Sequence, residues 1–248
     1  MSGHSKWATI RRKKEKTDAA RGRIFSRLIK EISVAARMGG GDVDGNPRLR
    51  SAVAVAKAAN MPQDNMVRAI KKGTGELPGA IYEEITYEGY GPGGCAIMID
   101  TMTDNKNRTF GEIRHMFSKH GGNLADTNAV AYLFDRKTLI EVESMDKTED
   151  EIFEAALEFD AEDITDEGDT YSIVGEPNDL ESLKSAMESI EVKIISAEVT
   201  MIPKVNVEID EKHAKNLLRL MELIEENDDV QKVYSNFDIA PEILEKIE

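Results

Sequence analysis

The sequence contains a single cysteine among its 248 residues, and this scarcity limits the kinds of site that the chain can build. One cysteine excludes a disulfide within the chain and a zinc site made of several cysteines. It is also typical of proteins that work in a reducing cytosol. The thiol of Cys95 lies in the apolar run CAIMI, which favours a buried structural role over that of a nucleophile.

Long hydrophobic runs are missing as well. No stretch of about 18 apolar residues is present, so the sequence predicts no membrane-spanning helix. The first residues are basic, but no apolar segment follows them, and a secretory signal is therefore not expected. A mitochondrial presequence is the less favoured alternative, because the basic segment leads directly into helix-patterned sequence. We expect a cytoplasmic protein.

The common catalytic and metal-binding motifs are absent or incomplete. The four histidines form no H-E-x-x-H pair, and the chain has no G-x-S-x-G or Walker lysine loop. The segment GYGPGG matches G-x-G-x-x-G, but it leads into a second strand and not into a helix, so it predicts a turn. The segment DVDGNP resembles the start of a calcium loop, yet its twelfth position is Val53, which has no carboxylate.

These absences predict a protein that is not an enzyme and that has no metal or cofactor. A metal-dependent hydrolase using some of the many carboxylates is the alternative from another functional class.

Charge is distributed unevenly along the chain. Residues 1–80 contain 17 Lys and Arg against 7 Asp and Glu, a net of +10, whereas residues 81–248 contain 15 against 40, a net of −25. Basic segments attract phosphate backbones by releasing condensed counterions. The distribution favours a polyanion-binding region at the N-terminus. The alternative is that this basic region docks onto the acidic part of the same chain.

The candidate nucleic-acid contacts are concentrated in the first 30 residues. The run RRKKEK supplies phosphate-binding charge, and the single tryptophan nearby is able to stack on a base or to anchor the segment. The predicted contact residues are Lys6, Trp7, Arg11, Arg12, Lys13, Lys14, Lys16, Arg21, Arg23, Arg27 and Lys30.

A second, fainter polar cluster lies between a predicted strand and the helix after it. Its side chains can donate hydrogen bonds to phosphates, or they can simply cap the helix. The cluster comprises Asn105, Lys106, Asn107, Arg108 and Arg114.

Hydrophobic periodicity predicts an α+β multidomain fold: an N-terminal three-helix domain followed by two ferredoxin-like α+β domains, one inserted in the other. The three helices are predicted from an N-cap at Thr17 to Met38, from Asn46-Pro47 to Ala59, and from Pro62 to Lys72. The segments AVAYLFDR and TLIEVES are predicted as two separate strands. The predicted domains are 1–79, 80–136 together with 204–248, and an inserted 137–203.

Several segments, in order, resemble the YebC family: SGHSKWATIRRKKEKTDAARGRIFSRLIKEI, NPRLRSAVAVAKAANMP, EEITYEGYGPGG, TDNKNRT and HGGNL. The resemblance spans nearly the whole chain. It implies a helical bundle followed by two α+β domains with one inserted in the other, as the periodicity does.

The resemblance also implies a function. Members of this family are described as probable transcriptional regulators that bind DNA, and relatives as translation factors that act at the ribosome, including a mitochondrial translational activator. We therefore expect a DNA-binding transcriptional regulator in the cytoplasm, with polymerase as a further partner. The alternative is a ribosome-associated translational activator that binds ribosomal RNA.

Overall fold

The structure is a computed structural model that describes residues 18–143, 147–168 and 170–247. Within those ranges it contains eight α-helices, two four-stranded sheets and one two-stranded pair. This mixed helical and sheet architecture agrees with the predicted fold class.

The first three helices form a small unit around an apolar core. The second begins at the predicted place because the Asn46 side chain accepts a hydrogen bond from the N–H of Leu49 (3.1 Å) and Pro47 occupies the first turn. The core of this helical unit includes Ile32, Leu49 and Met66. The helices are α1, Asp18–Gly39; α2, Pro47–Ala58; and α3, Gln63–Gly73.

Helix α3 ends against α1 at a point where only glycine fits. A Cβ atom at Gly73 would lie 2.3 Å from the carbonyl oxygen of Ser33. The Ser33 hydroxyl donates to the carbonyl of Ala69 at 3.1 Å, which fixes the two helices at this close approach. The predicted stop at Gly73 is confirmed, and the close approach of α1 gives it a packing reason.

The chain then enters its first sheet. The elements of this stretch are β1, Glu83–Tyr90; β2, Ala96–Thr103; α4, Lys106–Lys119; and β3, Asn123–Leu124.

A β-α-β-β-α-β series follows, which is the order of a ferredoxin-like plan. All its strand pairs are antiparallel, in the sheet order β5-β6-β4-β7, and the helices cover one face around Ile140, Ile173 and Leu183. The elements are β4, Phe134–Glu143; α5, Glu149–Leu157; β5, Asp163–Asp166; β6, Thr170–Gly175; α6, Leu180–Ser189; and β7, Ile194–Pro203.

The last part of the chain returns to the first sheet. Strand β9 pairs antiparallel with β2, giving the order β3-β1-β2-β9, while β8 and β10 form a short parallel pair. Helices α4 and α7 pack on this sheet through Phe117, Leu217 and Leu220. The elements are β8, Val207–Glu208; α7, Glu211–Glu226; β9, Val230–Ser235; β10, Phe237–Asp238; and α8, Pro241–Ile247.

The prediction of two strands in AVAYLFDR and TLIEVES is wrong. Residues Ala131–Leu133 form a single 3₁₀ turn, and one continuous strand, β4, begins at Phe134. The buried carboxylate of Glu88, in β1, fixes the turn by accepting hydrogen bonds from the N–H groups of Asn128, Val130 and Ala131 at 2.7–2.8 Å. The predicted domain boundary at 136–137 falls inside β4, and the division into domains stays a prediction.

The glycine-rich segment between β1 and β2 is a turn, as predicted. Residues Pro92–Gly94 form a 3₁₀ turn, and Gly93 and Gly94 both have φ of 80°, in the left-handed region that glycine tolerates. Since β2 follows directly, no helix N-terminus is present here to bind a phosphate group.

Cys95 lies directly after this turn and is fully buried, so we expect its thiol to be unreactive in the folded protein. Burial raises the pKa of the thiol to about 11, and only the thiolate attacks disulfide reagents. At pH 8 we expect labelling by an aromatic disulfide reagent to be at least about a hundredfold slower for the native chain than for the chain in denaturant. Equal rates under the two conditions would show that Cys95 is accessible.

Candidate nucleic-acid interface

The eleven predicted contact residues divide into three groups. Seven of them lie outside the described residues: Lys6, Trp7, Arg11, Arg12, Lys13, Lys14 and Lys16. The other four lie on α1, and the structure places two of them in solvent and two in contacts with the rest of the chain.

Arg21 and Arg23 belong to the exposed group. Arg21 is exposed and Arg23 is partly exposed, near the beginning of α1. Neither has a carboxylate within 4 Å in the part of the chain that the structure describes. Both positive charges are therefore available to an outside anion.

Lys30 is the clearest departure from the predicted set, because it is only 8% exposed. Its ammonium group donates to the Asp229 carboxylate at 2.7 Å and to the carbonyl oxygens of Asp228 at 2.8 Å and Met102 at 3.2 Å. The ammonium also lies 5.3 Å from the centre of the Tyr82 ring. With its three N–H donors occupied inside the molecule, Lys30 is not available to a phosphate, and we leave it out of the interface.

The Asp229 carboxylate bonds to Lys30 of α1 through one oxygen and to two residues of α4 through the other. Its second carboxylate oxygen accepts hydrogen bonds from Arg108 and from the Thr109 hydroxyl, each at 2.7 Å. Burial by itself raises the pKa of this carboxyl, but the hydrogen bonds from Lys30, Arg108 and Thr109 outweigh it and lower the pKa to about 2. The Asp229 carboxylate therefore stays negatively charged, and it links α1 to the residue that directly precedes β9.

Arg27 also contacts the acidic part of the chain. Its guanidinium donates to the backbone carbonyl of Glu225 near the end of α7. We therefore leave Arg27 out of the interface as well.

Two further arginines of the helical unit make contacts of the same kind. Arg48 forms ion pairs with Glu31, at 2.8 Å, and with Glu84 of β1, at 2.7 Å, and these contacts raise its pKa further. Arg37 donates to the carbonyl oxygen of Tyr82 at 2.5 Å. Part of the basic charge thus docks the helical unit onto the acidic part of the chain, as the alternative interpretation expects.

The structure also shows exposed cations that sequence reasoning missed. Arg68, Lys71 and Lys72 lie on α3 at spacings of three and four residues, which places them along one side of the helix. They and Lys57 of α2 are exposed, and none has a carboxylate within 4 Å among the described residues. Their spacing on a predicted helix was the available signal. We name this set, together with Arg21 and Arg23, the exposed cations.

The fainter cluster in TDNKNRT has a structural role where its contacts are seen. Asn105 caps α4 by accepting from the N–H of Arg108 at 3.1 Å, and Lys106 pairs with Glu83 at 2.6 Å. Arg108 also donates to Asp229, so capping and contacts within the chain account for Asn105, Lys106 and Arg108, while Asn107 and Arg114 are exposed.

No group of three or more histidine, cysteine or acidic side chains with the geometry of a metal site exists in residues 18–143, 147–168 and 170–247. None of the helices described there is long and apolar enough to cross a membrane.

Comparison with known proteins places the chain in a family. A family model described as the TACO1/YebC protein N-terminal domain matches residues 5–76, and one described as the TACO1/YebC second and third domain matches residues 82–237.

Curated relatives match over the full length of the chain. A protein of Desulforapulum autotrophicum is 55% identical, covering 99% of each chain, and one of Geobacter sulfurreducens is 54% identical, covering 100% of each chain. Both carry the name "probable transcriptional regulatory protein".

A solved structure matches as well. The crystal structure of a conserved hypothetical protein from Aquifex aeolicus, 49% identical, matches 92% of this chain and 94% of its own with a TM-score of 0.80. Taken with the two family models and the full-length relatives, this likeness shows that the chain belongs to the TACO1/YebC family.

Proposed function

We propose that this protein is a DNA-binding regulator of transcription that acts in the cytoplasm and catalyses no reaction. The observation that carries the proposal is the separation of charge, with +10 in residues 1–80 and −25 in the remainder. The names of the full-length relatives support a role in transcriptional regulation.

Some basic side chains of the helical unit form no ion pair with any residue that the structure describes. Arg27, Lys30, Arg37 and Arg48 bond to other parts of the chain. The exposed cations do not, and the six basic residues of 1–17 add to them in the sequence. Such side chains neutralise phosphates and release counterions, which provides affinity without reading the bases.

The acidic part of the chain repels DNA and so limits where on the protein surface a duplex can bind. A net charge of −25 over residues 81–248 repels phosphate at distances of about a Debye length, roughly 8 Å at physiological ionic strength. Because the contacts of Lys30 and Arg48 hold the helical unit against this acidic part, the duplex approaches the helical unit from its outer side.

Reversing the charge of two arginines within residues 1–17 tests the proposal. We expect Arg11→Glu/Arg12→Glu to weaken binding to duplex DNA at least about tenfold, and by a similar factor for unrelated sequences, because phosphate contacts carry no sequence information. Fluorescence anisotropy at one fixed salt concentration measures this. The matched control is Lys212→Glu/Lys215→Glu, the same charge change at two exposed positions of α7.

Two outcomes would overturn the proposal. If both double variants lost affinity equally, overall charge and not the N-terminal region would govern binding. If the native chain bound ribosomal RNA fragments much more tightly than duplex DNA at the same salt, a role at the ribosome would replace the role in transcription.

A further inference from the structure

The second sheet ends in two strands that have no partner strand on their outer sides in the part of the chain that the structure describes. In the order β5-β6-β4-β7, β5 and β7 are the terminal strands. A terminal strand presents a row of N–H and C=O groups to solvent, and natural proteins usually protect such an edge.

Strand β5 is protected in the usual ways. It is four residues long and begins and ends with a carboxylate, at Asp163 and Asp166. Short length and charge both discourage the addition of another strand.

Strand β7 is less protected, although a shift in its register with β4, at Ile195, interrupts the regular ladder. It runs for ten residues and contains one charged side chain, Glu198, while its apolar residues such as Ile195 and Val199 are half-buried. Its residues make no backbone hydrogen bond to any described segment apart from β4. The backbone groups that face away from β4 therefore have no backbone partner within 18–143, 147–168 and 170–247.

The open part of this edge is the first half of the strand. At the other end Met201 packs beside Tyr234 of β9, and Glu198 pairs with Lys232 of the same strand at 2.5 Å. Among the described residues, 194–198 are left as an open edge about five residues long, with the register shift at Ile195 and with the Glu198 side chain, which already pairs with Lys232, at its limit.

The negative charge of the residues around this edge determines which kind of segment can bind there. Residues 137–203, which contain the whole β4–β7 series apart from the beginning of β4, have 4 Lys against 20 Asp and Glu, a net of −16. A second copy of the chain would bring another −16 to the same place and be repelled, whereas a Lys- or Arg-rich segment would be attracted and steered.

We propose that the open edge of β7 binds an extended, basic segment of a partner protein as a fifth strand of the second sheet. Main-chain hydrogen bonds to residues 194–198 provide the affinity, as in other cases of strand addition, and the acidic surroundings select for lysine and arginine. This surface is separate from the nucleic-acid interface, so it stands whether or not the proposed function is correct.

A synthetic peptide of ten alternating lysine and valine residues is a suitable probe. We expect it to bind the full-length chain and to slow hydrogen exchange at backbone amides within 194–198, as read by mass spectrometry. The same peptide with every amide N-methylated keeps the charge but cannot donate to a ladder, and we expect it to bind at least tenfold more weakly. A peptide with glutamate in place of lysine is expected not to bind.

Four results would overturn the proposal. The N-methylated peptide binding as tightly as the parent would reduce the interaction to general charge attraction. Protection elsewhere in the chain would place the peptide at another site. Protection of 194–198 that grows with protein concentration alone would make a second copy the occupant, and equal protection of these amides by single-stranded RNA would replace the peptide with a nucleic acid.

Discussion

The affinity of the full-length chain for duplex DNA is expected to fall by about 10³–10⁵-fold when salt rises from about 50 to 200 mM. A change of this size requires about six to ten neutralised phosphates. The N-terminal 80 residues carry 17 Lys and Arg, and the contacts of Arg27, Lys30, Arg37 and Arg48 leave enough of them for that number. Anisotropy titrations at several salt concentrations give the slope directly.

The Arg11→Glu/Arg12→Glu variant refines this prediction. Loss of two phosphate contacts is expected to make the slope of log K against log salt shallower by about 2, since each contact contributes about 0.9. A slope near zero for the native chain would contradict a phosphate-based interface altogether. An unchanged slope in the variant would remove these two arginines from it.

The second large effect concerns the carboxylate that joins the helical unit to the first sheet. We expect Asp229→Asn to lower the free energy of unfolding by about 3 kcal/mol, because it leaves the buried Lys30 without its counter-charge. In a chain of this size that corresponds to a decrease in Tm of about 6–12 °C. Thermal unfolding followed by circular dichroism measures it.

A neighbouring residue supplies the control. Asp228 is exposed and takes part in the Lys30 contact only through its backbone carbonyl, so Asp228→Asn is expected to change stability by less than about 0.5 kcal/mol. Equal losses in the two variants would mean that the Lys30–Asp229 pair has no special role.

The same pair predicts a dependence on pH. The pKa of Asp229 in the folded chain is about 2, below the value of about 3.9 for an unfolded aspartate, so the stabilisation is complete above about pH 4 and is lost as the pH falls through about 2. The stability difference between the native chain and Asp229→Asn should therefore close between pH 4 and pH 2. A difference that stays constant down to pH 2 would contradict the assignment.

Local signals predicted much of the fold. The start of α2 follows from Asn46 and Pro47, because a helix cap depends on the residue itself and its near neighbours. The turn between β1 and β2 follows for the same reason from the glycine-rich segment GYGPGG.

Contacts between distant residues account for what was missed. Ala131–Leu133 belongs to the segment AVAYLFDR that was predicted as a strand, but the Glu88 carboxylate, more than 40 residues away, fixes these residues as a turn. Lys30 and Asp229 are 199 residues apart, so nothing near Lys30 in the sequence distinguished it from an exposed lysine. The sequence shows how many positive charges a segment carries. Only the folded structure shows which of them already pair with carboxylates or carbonyl groups of the same chain.

Contacts between distant residues also decide which of the predicted site residues are still available to a ligand. Arg21, Arg23 and the seven residues from Lys6 to Lys16 stay predicted contacts, whereas the side chains of Arg27 and Lys30 bond to other parts of the chain. The exposed cations of α2 and α3 are an addition from the structure.

Mapping where the duplex lies on the protein surface tests whether DNA binds to the basic N-terminal region. Duplex DNA with photoreactive groups on its phosphate backbone would be cross-linked to the full-length chain, and the attached peptides identified by mass spectrometry. We expect the cross-links to lie in residues 1–80, both within residues 1–17 and around Arg68, Lys71 and Lys72. Cross-links concentrated in residues 137–203, or spread evenly over the chain, would contradict the account.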